Sequence, residues 1–98
     1  MKRLELSLAA DADLFDILAY GTAVHGEAAS DANYAGLTDA FAFLCGHPLA
    51  GQMDEDSGLD LRLWRYRQHR IFYRVDADAV WIVRLFHVAA DAVRWFKD

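Results

Sequence analysis

Hydrophobic and polar positions divide the chain into stretches of different period. Leu4, Leu6 and Leu8 alternate with Arg3, Glu5 and Ser7, the two-residue period of a half-buried strand, and predict one at about residues 3–8. From Ala9 the period lengthens. Leu14, Ile17, Leu18, Gly21 and Val24 fall on one face of a helix, with Asp11, Asp13 and Asp16 near its start, where acids favour the helix dipole. Gly26 suits a C-terminal cap, and a second helical period through Tyr34, Leu37, Phe41 and Leu44 runs to Gly46-His47-Pro48, where glycine and then proline stop it. Residues 9–46 therefore read as a helical hairpin. Residues 49–60, polar and acidic around Gly51, Asp54, Glu55, Asp56 and Gly58, read as an exposed loop long enough to be mobile.

Alternation returns at Leu61 in three runs of β-branched, aromatic and aliphatic residues. In the second run Ile71, Tyr73 and Val75 share one strand face, and Arg70, Phe72 and Arg74 the other. In the third, Trp81, Val83 and Leu85 oppose Ile82, Arg84 and Phe86, and the turn-prone Asp76-Ala77-Asp78-Ala79 joins the two runs into a hairpin. Placing Trp64 and Tyr66 of the first run on the apolar face sets Arg65 and Arg67 beside Arg70, Arg74 and Arg84. The opposite register would bury arginines at a cost of several kcal/mol, on the order of the penalty for isolated charge. Val93 and Phe96 suit a short terminal helix or a packed tail. The order is β-α-α-β-β-β with a C-terminal extra. It predicts an α+β domain in which the helical hairpin covers one face of a small, mainly antiparallel sheet, with Ile17, Phe41, Tyr73 and Val83 in the core.

Ninety-eight residues with 55% hydrophobic content form one domain, residues 1–98, able to bury a single core. The lone Cys45 cannot form an internal disulfide, no apolar stretch reaches membrane-spanning length, and the start lacks a signal-peptide core, so a cytoplasmic protein is expected. Charge sharpens the picture. Residues 1–61 hold Lys2 and Arg3 against eleven acids, net −9, and residues 62–98 hold eight basic residues against four acids, net +4, giving the total of −5. Five arginines and no acid lie between positions 62 and 74. A solubility pattern disperses such charges, whereas a compact basic face in an acidic protein suits a binding surface.

The four histidines, at 25, 47, 69 and 87, lack metal-ligand spacing, and there is no phosphate-binding glycine loop, so neither metal nor cofactor is expected. Cys45 and His87 have no recognisable orienting acid. His87 on a strand beside Arg70 and Arg74 suggests a general base for a ribose hydroxyl, with the arginines stabilising phosphorane charge. Alternation, however, puts His87 on the face opposite Arg84.

The order of elements, together with HRIFYRV at 69–75, IVRLFH at 82–87 and Asp91 shortly after, resembles the RelE/ParE superfamily of bacterial toxins, and within it ParE. Asp13-Leu14, Ile17, Tyr20-Gly21, Gly26-Glu27, Phe41, Leu44, His47-Pro48, Gly51 and Leu61-Arg62 agree with the same pattern over nearly the whole chain. Ala90-Asp91 stands where ParE-like chains often read Met-Asp, and Asp60 where they read Gly.

The resemblance implies a toxin of a type II toxin-antitoxin system, held in a hetero-oligomer by a ParD-like antitoxin and directed at DNA gyrase, without covalent chemistry of its own. The alternative it implies is a RelE/YoeB-like ribosome-dependent mRNA interferase, in which Glu55, Arg70 and His87 form the catalytic set. Net charge −5 and only two lysines disfavour approach to ribosomal RNA. A third reading is a non-toxic protein-interaction module. The expected antitoxin- and target-binding residues are Arg65, Arg67, Arg70, Phe72, Arg74, Arg84, Phe86, Arg94, Trp95 and Lys97, with Phe72 and Phe86 as exposed apolar contacts.

Overall fold

The computed structural model describes residues 1–88. Strand β1 (Arg3–Leu6) leads into helix α1 (Leu8–His25) and helix α2 (Glu27–Gly46), followed by β2 (Gln52–Met53), β3 (Arg62–Tyr66), β4 (His69–Val75) and β5 (Ala79–His87). One sheet runs in the order β1-β5-β4-β3-β2. All neighbours are antiparallel except β1, which lies parallel to β5. Neither helix is long and apolar enough to cross a membrane.

The predicted α+β architecture is present, and its boundaries have local causes. Ser7 ends β1 and caps α1: its hydroxyl oxygen accepts the Ala10 amide at 3.0 Å, relieving one of the orphan donors of a helix start. Gly26, at φ 92°, closes α1 and opens α2 in a backbone region that suits glycine, so the hairpin turns within one residue. Strand β2 was not expected from the acidic loop composition. It forms because Gln52 and Met53 pair with Leu63 and Arg62, and the Asp54 amide donates to the Leu61 carbonyl at 2.8 Å, closing the loop at its base.

The core lies between the hairpin and one sheet face. Leu37, Phe41 and Leu44 of α2 meet Ile71, Tyr73, Val80, Ile82 and Leu85, with Leu14, Ile17, Trp64 and Tyr66 packed around them. Three expectations fail here. Val24 and Tyr34, which share the apolar helical periods, are exposed. Val83 yields its predicted core position to Ile82.

The reason for the Val83 exchange is a β-bulge. Tyr73 faces Ile82 and Phe72 faces Arg84, so Val83 has no opposite number on β4. The extra residue shifts the alternation by one, placing Ile82 and Leu85, three residues apart, in the same core. Val83 instead packs with a second cluster of Leu61, Phe72 and Phe86 on the other face. The Ser7 hydroxyl donates to the Val83 carbonyl at 2.7 Å, tying the bulge to the start of α1.

Candidate partner-binding face and its flanking grooves

The five-arginine run separates into three structural roles. Arg62 stands opposite Tyr73, and both reach toward the α2–β2 connection: the Arg62 guanidinium donates to the Gly51 carbonyl at 2.7 Å. The Tyr73 hydroxyl donates to the Pro48 carbonyl at 2.8 Å and accepts the Gly51 amide at 2.8 Å. Burial pushes the Tyr73 phenol up, so it holds both bonds as a neutral hydroxyl. A Cβ on Gly51 would come within 2.7 Å of both the Leu63 carbonyl and the Tyr73 hydroxyl, which accounts for glycine there.

Arg67 occupies the two-residue turn between β3 and β4 at φ 54°, with its guanidinium 5.4 Å from the centre of the Tyr66 ring. It therefore leaves the strand alternation that was expected to align it with Arg65. The outer sheet face itself has three rows: Arg65, Arg70 and Phe86; Leu63, Phe72 and Arg84; Arg74 and Trp81. Arg65 and Arg74 are exposed, and Arg70 is half-buried.

Phe72 and Phe86 are only 2% and 3% exposed, which corrects the expectation that they offer open apolar surface. Their rings meet edge to face at 6.0 Å and close over Leu61. They stiffen the face from which the arginines project.

Arg84 is likewise not an open cation. Its Nε and Nη2 donate to the two oxygens of Asp13 at 2.8 and 3.1 Å, and the Leu85 amide adds a third bond to Asp13 at 3.0 Å. The hydrogen bonds to Asp13 push the Arg84 guanidinium further up, fixing its charge. β1 pairs with β5 only as far as Ile82, and beyond it the Asp13 carboxylate takes over the strand edge. Asp13 was read as a helix-start acid. Its position between Ala10 and Ile17, on the buried helical face, was the available sign that it must find a partner.

Two grooves border the sheet. One, of about 670 Å³, is lined by Asp54, Glu55 and Asp56 of the acidic loop and by Arg65, Arg70 and Phe72. The other, of about 810 Å³, opens between the closed end of the helical hairpin and the β3–β4 turn, lined among others by Asp16, Tyr20, His25, His69 and His87. Glu55 and Arg70 thus share the first groove, and His87 lies in the second. His87 is exposed, stands opposite His69 with ring centroids 5.8 Å apart, and has its Nε2 3.3 Å from Gln68 Oε1. Burial and the neighbouring His87 hold the His69 imidazole below its ordinary value. Among the described residues no three His, Cys, Asp or Glu side chains converge as metal ligands. Asp91, Arg94, Trp95 and Lys97 lie outside the described residues.

No curated protein sequence matches the chain. Among solved structures, the chromosomal ParDE TA system from P. aeruginosa contains a chain of similar fold, with a TM-score of 0.74 and 22% sequence identity over 90% of this chain and 97% of that one. The family model for the ParE toxin of the type II toxin-antitoxin system, parDE, matches residues 4–92. Strand, helical hairpin and arginine-bearing sheet all fall within that span, and the chain belongs to the ParE toxin family of type II toxin-antitoxin systems.

Proposed function

We propose that this toxin acts by binding DNA gyrase, and that a ParD-like antitoxin segment restrains it by covering the outer sheet face. The observation that carries the reading is that face: Arg65 and Arg74 project from a rigid sheet around the Phe72–Phe86 cluster, with Arg70 beside them, in a chain of net charge −5. An acidic, partly disordered segment that folds on contact gains charge-assisted bonds there and steered association. The name ParDE borne by the structural relative from P. aeruginosa accords with such a pair.

The same geometry gives little support to RNA cleavage. A ribonuclease needs its acid, base and charge-stabilising group around one reacting phosphate. Here Glu55 and Arg70 line one groove and His87 the other. The acidic balance of the chain also disfavours a polyanionic target approached through phosphate contacts.

Expression of the toxin alone tests the proposal. Cleaved DNA with gyrase attached should accumulate, unaffected by His87→Ala and weakened by Arg70→Ala or by deletion of residues 89–98. Codon-positioned mRNA cleavage on ribosomes that His87→Ala abolishes would replace this reading with the mRNA interferase. Harmless expression would leave a protein-interaction module. A small gene for a DNA-binding antitoxin beside this one supports the pairing, and failure of its product to associate at low salt refutes it.

A further inference from the structure

Helix α1 has a second face that the fold does not use. Viewed down the helix, Ala10, Asp13, Leu14 and Ile17 turn toward the sheet, while Leu8, Ala12, Phe15, Ala19 and Ala23 recur at spacings of three and four on the opposite side. Leu8 is 92% exposed and Phe15 72%, and the three alanines are exposed with them. Single apolar side chains in water are ordinary on a protein surface. A row at helical spacing, with large residues separated by alanines that admit a partner's side chains, has the form of a helix-docking stripe.

The charges around this stripe select its occupant. Exposed Asp11 and Asp16 stand on its two flanks. Residues 8–46, which make up the helical hairpin, contain six acids and no lysine or arginine. Only Asp13 among those acids has an ion-pair partner within the described residues. A second copy of the chain would bring carboxylates against carboxylates along the same stripe, which opposes self-association. An acidic segment meets the same repulsion. A cationic helix with one apolar stripe satisfies both features, its leucine-like residues over Phe15 and the alanines and its lysines or arginines against Asp11 and Asp16.

We infer that the outer face of α1 is a separate docking site for a basic amphipathic α-helix of a partner protein, about 15 residues long to match the four turns from Leu8 to Ala23. It lies on the helical layer, away from the arginine-bearing sheet face, and stands whether or not that face takes an antitoxin. The toxin would then carry two surfaces of opposite charge, able to hold two partners at once.

Two amphipathic peptides of roughly 18 residues test the inference against the full 98-residue chain. Both carry leucines at helical spacing, one with lysine and the other with glutamate at the remaining positions. The lysine peptide should bind and shift the amide resonances of residues 8–23. Phe15→Ser, which removes the apolar anchor, and the pair Asp11→Asn/Asp16→Asn, which removes the flanking charge, should each weaken it by about tenfold. Both changes are at exposed positions, and the variants should keep the parent circular dichroism spectrum. Affinity unmoved by Phe15→Ser, equal binding of the glutamate peptide, or shifts confined to the sheet would overturn the assignment. Self-association of the chain that Phe15→Ser abolishes would give the stripe to a second copy and overturn it as well.

Discussion

Asp13 and Arg84, 71 positions apart, form a two-pronged ion pair whose carboxylate also accepts the Leu85 amide. One acid thus fixes the first helix to the strand that follows the bulge. Arg84→Ala should destabilise the domain by about 3 kcal/mol, the low end of the range for stranding one partner of a buried pair, because the Arg84 side chain is still 27% exposed. Asp13→Ala should cost a similar amount, since it strands both the guanidinium and the Leu85 amide. Urea unfolding of the two single variants and the double measures this, and strict additivity would mean that the pair is not coupled.

Phe41 is buried at the centre of the helical layer, against the sheet. Phe41→Ala should lower stability by about 3 to 5 kcal/mol, the usual cost of emptying an aromatic core site. Thermal unfolding of the purified variant is the check.

Tyr73→Phe removes one hydroxyl and leaves both the Gly51 amide and the Pro48 carbonyl without it. A loss of about 1 to 3 kcal/mol is expected from such unsatisfied buried groups. Hydrogen exchange should accelerate first at Gly51, before the central strands respond. A variant with unchanged Gly51 exchange would show that Arg62 alone holds the connection.

Exposed Arg65 and Arg74 should affect association and leave the fold intact. Charge reversal to Glu at either position should slow antitoxin association and flatten its salt dependence, with unfolding free energies within about 0.5 kcal/mol of the parent. Stopped-flow mixing at several salt concentrations separates the two effects.

His69 supplies a pH signature. Its folded-state pKa lies below the ordinary 6.5, chiefly because burial disfavours the charged ring. The unfolded chain therefore binds the proton more readily. The neutral ring's contribution to stability is fully present above about pH 6.5 and is lost as pH falls through the lower folded value. His69→Gln should flatten the decline in stability as pH falls below about 6.5, the ordinary histidine value; an unaltered profile would transfer the effect to another group.

The helical layer was largely legible because Leu37, Phe41 and Leu44 follow the period and are all buried. On the strands, the faces of Trp64, Tyr66, Ile71 and Tyr73 followed from alternation, as did those of Leu85 and Phe86 on β5. Ahead of them the bulge at Val83 sets the opposite phase, so that Ile82 faces the core and Trp81 lies beside Arg74 on the outer face, the reverse of the expectation; no local residue marks that reset, since Trp81-Ile82-Val83 alternates as well in one register as in the other. The arginine face was read too broadly for a similar reason. Arg62 points to the core side through its pairing with Tyr73, Arg67 enters a turn, and Arg84 is drawn to a helix far away in sequence. Those assignments depend on tertiary partners, which period alone does not encode.

The parallel pairing of β1 with β5 sets the timing of biogenesis. β5 is the last of the described strands to be synthesised, yet it lies between β1 and β4, and the core face of the sheet needs its Val80, Ile82 and Leu85. A nascent chain that stops short of Ala79 has both helices and β4 but lacks β5, whose Val80, Ile82 and Leu85 complete the core face and join β1 to the sheet. Closure must await contacts between the two ends of the domain, the kind of long-range pairing that slows folding. The complete arginine-bearing face, with its Phe72–Phe86 support, comes into being in that same late step. Truncated translation products that end before β5 therefore lack the complete outer face.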